Sequence, residues 1–466
     1  MQSFLAYIEG QKKKGYHVHI FKEDGAVHAE IKSGNACGFV TIYEITEQIV
    51  VELQVRNLSS DEAAFYLHFE LQEIGHAKEL FDEMMRVLGN VKQKKRKKIL
   101  LCCTSGLTTS FFVMKLQEAC RVLELELDFQ AVDYNRLFMS GFDCDAVLLA
   151  PQIAYMQDKV KEILRTCPVA AVPAGIFGTY DVTGLLRFAD KVVEDGDQTQ
   201  QEQNLASDQI GLDMEGDALC VAVFLDDHSV RLVYRIYRHG TCKKTGQVLK
   251  ESYRLRDLED LLDVVLKERD EIHTVIICTP GILQEGRLTF KQPGICNVEV
   301  QHRFERRYHR AFCFVNDADA MALGYYGMHE GIGDVSFYFH PLASRTCGVG
   351  SIVNGTLLEG KHGIAGEMQY IAKLLRYSKD PRKLAMTPEG TLEVVAKYLA
   401  IIIAELDPAI IAVYCNMVPD MEELRTEIGK YIKLSLVPQL VKVYDPLPYM
   451  LAGGMMRASI RRHNEG

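Results

Sequence analysis

The stretch Lys98-Ile-Leu-Leu-Cys-Cys-Thr-Ser-Gly-Leu-Thr-Thr-Ser110 constrains this chain more tightly than any other. Its apolar run reads as a buried strand that stops at a short loop of Thr, Ser and Gly. Phe112, Leu116, Ala119 and Leu123 then repeat at helical spacing, with Thr108 or Thr109 as the expected N-cap. A thiol, Cys103, therefore sits at a strand tip just before a helix start. Backbone N–H groups of such a loop and first helical turn lack internal partners and converge on one spot. They form an anion cradle, reinforced by the helix dipole. A sulfur held there is favoured as thiolate, and a phosphoryl group on it would be bound by the same amides. Gly106 allows close backbone approach, and the loop hydroxyls add donors. The loop has no lysine, so it is not a Walker A loop. Spacing alone leaves two readings open: a reactive thiol in a phosphate cradle, or a buried cysteine in an ordinary strand-helix turn.

Two polar runs divide the chain. Lys92-Gln-Lys-Lys-Arg-Lys-Lys98 reads as a solvated lead into the strand, not a nucleic-acid patch, since it is short and the formal net charge is −10. Asp195-Gly-Asp-Gln-Thr-Gln-Gln-Glu-Gln-Asn204 has no apolar residue and no period, and reads as a linker. The expected domains are 1–94, 97–195 and 208–466, with 196–207 as the linker. In the first, Val27/Ala29/Ile31, Val51/Leu53/Val55 and Phe65/Leu67/Phe69 alternate with mostly polar neighbours. Period two means half-buried strands with one wet face. A helical stretch follows from about Gly75 to Leu88, so a small antiparallel sheet with a helix at each end is expected, of unreadable role. His17, His19, His28 and His68 fall on the polar phase and read as solvated sheet-face residues rather than metal ligands.

The 13 cysteines are odd in number and contain no CxxC pair, and several lie in apolar runs (Cys220, Cys278, Cys313). Buried free thiols in a reducing cytoplasm are expected. The opening apolar stretch is too short for a signal peptide, and Leu399–Cys415 is broken by Glu405, Asp407 and Pro408, so it is not expected to span a membrane. There is no helix-turn-helix or zinc-finger spacing, so no nucleic-acid partner is expected, and neither a metal nor a cofactor is expected.

The loop Cys103-Thr-Ser-Gly-Leu-Thr-Thr-Ser110 resembles the Cys-Ser-x-Gly-x-Ser-Thr-Ser loop of the enzyme IIB component of the bacterial phosphotransferase system, lactose/cellobiose type. Asp145-Ala-Val-Leu-Leu-Ala-Pro-Gln-Ile-Ala-Tyr-Met156 is similar to that family's second signature, with Pro151, Gln152 and Tyr155 in place. The resemblance implies a four-stranded parallel sheet flanked by helices. It implies that Cys103 takes a phosphoryl group from a phosphohistidine on a IIA partner and hands it to a sugar at a membrane IIC permease. Thr104, Ser105, Gly106, Leu107, Thr108, Thr109 and Ser110 would bind the phosphate.

Residues 208–466 alternate strands and helices. Phe314-Val-Asn-Asp317, Thr346-Cys-Gly-Val-Gly-Ser-Ile-Val-Asn-Gly355, Gly363-Ile-Ala-Gly-Glu-Met-Gln-Tyr370, Thr279-Pro-Gly281 and Leu451-Ala-Gly-Gly454 together resemble the ROK family of sugar kinases and repressors. That resemblance implies a two-lobed actin-like fold. Asn316 and Glu367 would touch sugar hydroxyls, and Asp317 would be the family's base. Tyr370 stands where the family has a sugar-binding His. Homodimerisation through this domain is a further expectation from the resemblance.

Departures from the ROK pattern point to a domain that has lost ATP-dependent transfer. Asp213-Met-Glu-Gly-Asp-Ala218 replaces the family's Asp-Ile-Gly-Gly-Thr-Lys phosphate loop, and Glu215 and Asp217 would repel a triphosphate. Tyr414-Cys-Asn-Met417 replaces a Gly-rich adenosine turn, the zinc motif after Glu367 is absent, and so are the repressors' DNA-binding helices. The expected protein is an α/β multidomain phosphoryl carrier. It is phosphorylated on Cys103 and coupled to a ROK-like pseudokinase that binds a sugar or sugar phosphate, serving transport or regulation. The rivals are a ROK-type sugar kinase with an inert IIB-like appendage, and a non-catalytic regulatory scaffold.

Overall fold

The computed structural model describes residues 1–466 apart from 34–35, 46–47, 58–62, 92–96, 105–106, 124, 126, 141–143, 166, 201–216, 226–229, 251–252, 268, 291–293, 342–346 and 466. The alternating N-terminal sequence forms helix α1 (Gln2–Glu9), then an antiparallel meander of β1 (His17–Glu23), β2 (Ala26–Ser33), β3 (Ala36–Ile45), β4 (Gln48–Asn57) and β5 (Ala63–Glu70). Helix α2 (Ile74–Val91) follows. The apolar phase of the strands meets both helices, so that Phe4, Ile8, Ile31, Leu53, Phe65 and Phe81 share one core. The histidine expectation fails at one position. His17 and His19 are exposed, but His68 is buried, edge-on to Tyr66 and Tyr234.

The next segment builds β6 (Lys97–Cys103), α3 (Leu107–Val122), β7 (Leu127–Asp133), α4 (Tyr134–Ser140), β8 (Ala146–Leu149), α5 (Gln157–Ile163), β9 (Val169–Ala171), α6 (Ala174–Gly178) and α7 (Val182–Gln200). The four strands form a parallel sheet in the order β7-β6-β8-β9, as the IIB resemblance implies. Alternation along β6 sends Ile99, Leu101 and Cys103 into a core with Phe112, Leu116 and Leu185 of α3 and α7. Leu100 and Cys102 go to the other face. The chain leaves β6 in one direction for β7 and returns on the other side for β8. The topological switch point therefore lies at the C-terminal ends of β6 and β8, where open α/β sheets bind ligands. Helix α7 runs on to Gln200 and takes in the first part of the polar stretch read as a linker; Gln201 to Asn204 lie outside the described residues.

The remaining chain holds β10 (Asp217–Leu225), β11 (Val230–Arg238), β12 (Thr241–Lys250), α8 (Leu255–Val265), β13 (Ile272–Thr279), a small sheet of β14 (Ile282–Gln284), β15 (Arg287–Phe290) and β16 (Ile295–Glu299), α9 (Val300–Tyr308), β17 (Ala311–Asn316) and α10 (Asp317–Met328). Then come β18 (Val335–Phe339), β19 (Gly348–Val353), β20 (Thr356–Leu357), α11 (Met368–Ile371), α12 (Pro381–Leu384), α13 (Pro388–Leu406), β21 (Ile410–Tyr414), α14 (Met421–Ile428), β22 (Gln439–Lys442) and α15 (Leu447–Glu465). Two sheets share one plan. β12-β11-β10-β13-β17 and β20-β19-β18-β21-β22 both run third-second-first-fourth-fifth, antiparallel among the first three strands and parallel thereafter. This repeated plan is the two-lobed actin-like architecture expected. Gly454 of α15 lies so close to the first of these sheets that an added Cβ would come within 2.6 Å of Cys278 Sγ, which explains a glycine there.

Contacts gather the chain into two compact units, 1–95 with 209–320 and 450–466, and 96–208 with 321–449. In the first, β5 pairs with β12 through Tyr66 and Leu249, so the N-terminal meander and the first lobe make one ten-stranded sheet. In the second, the Cys102 face of the parallel sheet shares a core with Val395, Leu399 and Ile403 of α13 and Leu424 of α14. Among the described residues no helix is long and apolar enough to cross a membrane.

Candidate functional site

Cys103 is the last residue of β6 and is buried. Its Sγ lies 3.2 Å from Oγ1 of Thr109, itself fully buried, and either atom can donate. Helix α3 begins at Leu107, so Thr109 is not the N-cap. It sits inside the first turn, and its hydroxyl turns back to the sulfur. Thr104 and Ser110 are exposed. Ser105 and Gly106 lie outside the described residues, as do the side chains of Leu107 and Thr108. Cys102 points to the opposite face of the sheet and is fully buried; burial, then the neighbouring Cys103 and Asp133, push its thiol up to about 12. Of the two adjacent thiols, the one facing the helix start is Cys103.

The second motif lands beside the first. Cys102 pairs in register with Leu149 of β8, and the Ala150 amide donates to the Cys102 carbonyl at 2.8 Å. Pro151 then opens a short 3-10 turn, Pro151–Met156, in which Gln152 and Tyr155 are exposed, Tyr155 by 81%. On the opposite flank, Cys103 pairs in register with Asp133, which hands over directly to Tyr134 at the start of α4. Asp133 and Tyr134 carry no sequence signal; parallel pairing alone brings them to the site. Both flanks reach the second lobe. Tyr134 Oη donates to Glu389 at 3.3 Å, and Lys159 of α5 meets Glu389 at 3.5 Å and Glu423 at 3.4 Å.

The ROK-type candidates divide between the units. In the first unit, Asn316 ends β17 and its side chain is engaged. Its Oδ1 accepts from the Ala318 and Asp319 amides at 2.9 and 3.2 Å, and its Nδ2 donates to the Gly281 carbonyl at 3.0 Å. Asn316 therefore caps α10 and leaves little free for a ligand, while Asp317 sits in the first turn of that helix, half-buried, its Oδ1 accepting from the Ala318 amide. In the second unit, Glu367 precedes α11, and burial holds its carboxyl above the usual range, partly offset by a 2.9 Å hydrogen bond from Gln369. Gly366 before it has φ +79° and packs so closely on the Val349 carbonyl that no side chain would fit. Tyr370 is 49% exposed.

The phosphate-loop expectation needs correction. Asp217 is not in a loop: it opens β10, pairs in register with Arg238 and accepts from its Nε at 2.9 Å. The apolar run Leu219–Leu225 occupies the central strand position, and the connection to β11 is therefore 226–229. Those residues and Glu215 lie outside the described residues. The 226–229 segment reads Asp-Asp-His-Ser, acidic and without glycine. After β21, the Cys415 and Val418 carbonyls are occupied by the Lys442 ammonium at 2.5 and 2.8 Å, and burial lowers this amine to about 8. Among the described residues no cluster of three His, Cys, Asp or Glu could hold a metal ion.

A cysteine at the switch point of a four-stranded parallel sheet, followed by two lobes of one strand plan, defines a small parallel α/β region followed by an actin-like one. Comparison with known proteins agrees. Residues 98–186 match the model of the PTS system, Lactose/Cellobiose specific IIB subunit, and residues 209–373 match the ROK family. The chain therefore carries a lactose/cellobiose-type IIB region and a ROK-family region in succession. Over 164 residues, 34% of this chain, it is 29% identical to N-acetylmannosamine kinases of Salmonella arizonae and Salmonella typhi. The chain spans about half the length of these curated relatives, 52%. Similar solved structures include a ROK family glucokinase from Streptomyces griseus in complex with glucose and AMPPNP, at 14% identity, 52% of this chain, 100% of that chain and TM-score 0.41. Another is the cellobiose-specific phosphotransferase IIB component from Borrelia burgdorferi, at 25% identity, 21% of this chain, 93% of that chain and TM-score 0.20.

Proposed function

We propose that Cys103 is a phosphoryl acceptor. The thiolate attacks a phosphohistidine of a IIA-type partner in the cytoplasm; the S–P bond forms as the N–P bond breaks, and the imidazole nitrogen keeps the electron pair. The phosphocysteine then passes its phosphoryl group to a sugar hydroxyl at a IIC-type permease or persists as a signal. The observation that carries this reading is the buried 3.2 Å contact between Cys103 Sγ and Thr109 Oγ1 at the first turn of α3. A hydroxyl there stabilises a thiolate by donating to it and later donates to a phosphoryl oxygen. In this reading Thr104, Thr109 and Ser110 bind the phosphoryl oxygens, and the exposed Gln152 and Tyr155 are further candidate contacts.

The ROK-type region acts in this reading as a sugar or sugar-phosphate sensor, in which Asn316 caps the helix whose first turn carries Asp317. A second reading, ATP-dependent sugar phosphorylation, draws support from the kinases among the relatives. The sequence Asp226-Asp-His-Ser229 between β10 and β11, acidic and without glycine, speaks against it, because carboxylates repel a triphosphate. Intact-mass measurement after incubation with phosphoenolpyruvate, the general phosphotransferase proteins and IIA separates the two. Wild type gains one phosphoryl mass and Cys103→Ser gains none. Sugar phosphate made from ATP by Cys103→Ser would overturn the first reading in favour of the second.

A further inference from the structure

The two chain segments that leave the cysteine's edge of the IIB sheet end on the same carboxylate of the second lobe. Tyr134, next in sequence to the register partner of Cys103, donates to Glu389. Lys159, on the helix that follows the Pro151–Met156 turn, pairs with Glu389 and with Glu423. Glu389 lies in the first turn of α13 and Glu423 in the first turn of α14. Helix α13 is a core element: Leu392, Val395, Leu399 and Ile403 are buried in the same cluster as Leu100, Cys102 and Leu149 of the IIB sheet.

Resting on the reading of Cys103 as a phosphoryl acceptor, we propose that Tyr134, Lys159 and Glu389 form a clasp through which the second ROK-type lobe senses whether Cys103 is phosphorylated. Phosphorylation converts the sulfur into a dianionic group on the edge that bears Asp133 and Tyr134. The dianion repels Asp133, the residue before Tyr134, and its charge weakens the hold of Glu389 on the Tyr134 hydroxyl and the Lys159 ammonium. The clasp is built to yield. Glu389 and Glu423 are 53% and 42% exposed and the contacts are 3.3 to 3.5 Å long, so each pair is weak. Release leaves Glu389 beside the positive end of the α13 dipole, where a carboxylate is still favoured, so the helix stays formed while its anchorage to the IIB region loosens. A weak, solvent-accessible tie at the end of a buried helix is the kind of element a charge change can bias.

Hydrogen-exchange mass spectrometry on the full chain, before and after phosphorylation by the cascade, reads the clasp, and intact mass on the same sample reads the phosphoryl group. Amides of the first turn of α13, Gly390 and Thr391 among them, exchange roughly two- to fivefold faster in the phosphorylated wild type, the change expected from losing a half-exposed tie. Glu389→Gln and Lys159→Met exchange fast in both states and are phosphorylated to the same extent as wild type. Full phosphorylation with unchanged exchange at α13 overturns the clasp while leaving the phosphoryl acceptor standing. No mass gain on wild type removes the acceptor and the clasp together.

Discussion

At the scale of single residues, Thr109 and Cys103 act as a pair because β6 ends where α3 begins, so a side chain one turn into the helix can face the strand tip. Removing the hydroxyl takes away a hydrogen bond to a developing charge, worth about 1.5–3 kcal/mol. Thr109→Val should therefore slow Cys103 phosphorylation by roughly tenfold or more, and Thr109→Ser should restore most of the rate in time-resolved intact-mass measurements. A Val variant at the wild-type rate would remove Thr109 from the mechanism. Cys102→Ala should be phosphorylated normally, since that thiol points into the opposite core. His68 supplies a second test. Burial lowers its imidazole to about 4, so between about pH 6.5 and 4 the unfolded chain binds the extra proton and the folded one does not. Its contribution is therefore present in full above about pH 6.5 and is lost as pH falls towards 4, by up to about 3 kcal/mol. His68→Phe should flatten the acid limb of urea-unfolding stability over this window; an unchanged limb would show that His68 is not its source.

At the scale of elements, the N-terminal α2 is tied to the first lobe by charges taken out of water. Lys250, at the end of β12, pairs with Glu83 of α2 at 3.3 Å and with Asp257 of α8 at 2.5 Å, and all three side chains are at most 4% exposed. His76 of α2 adds a 2.9 Å bond to Asp260 of α8. Such a network is weak evidence for net stability, but removing one member strands the others. Lys250→Met leaves two buried carboxylates facing the half-exposed Arg254, at 3.7 and 3.8 Å, in place of a buried ammonium, and should cost about 3 kcal/mol in urea titration. The double variant Lys250→Met with Glu83→Leu should recover part of that loss. Equal stability of Lys250→Met and wild type would mean that water reaches this site.

At the scale of the whole molecule, segments separate in sequence are joined in their cores. The meander completes the first lobe's sheet, and the IIB sheet lends its Cys102 face to the core of the second lobe. A fragment of residues 97–195 alone would lose the neighbours that α13 and α14 add to the cluster holding Leu137, Phe138, Val160 and Ile163 of its own α4 and α5, which would uncover apolar surface of the kind that drives association. We expect that fragment to self-associate and to bind a hydrophobic dye, measured by light scattering and dye fluorescence against the full chain. A monomeric fragment with no dye binding would show that the IIB region keeps an independent core.

Local chemistry along the chain was enough to read the strand-loop-helix around Cys103, the period-two meander and the two signature segments, because each depends on neighbours only a few residues apart. Sequence also carried the resemblance that names both regions. Tertiary structure alone decided which strand is central in the first lobe, so that Asp217 became a paired strand residue, and whether β5 ends its sheet, so that His68 became buried. It also brought Glu389 to Tyr134 and Lys159. Pairing partners and shared cores join residues hundreds of positions apart, and no local periodicity encodes them.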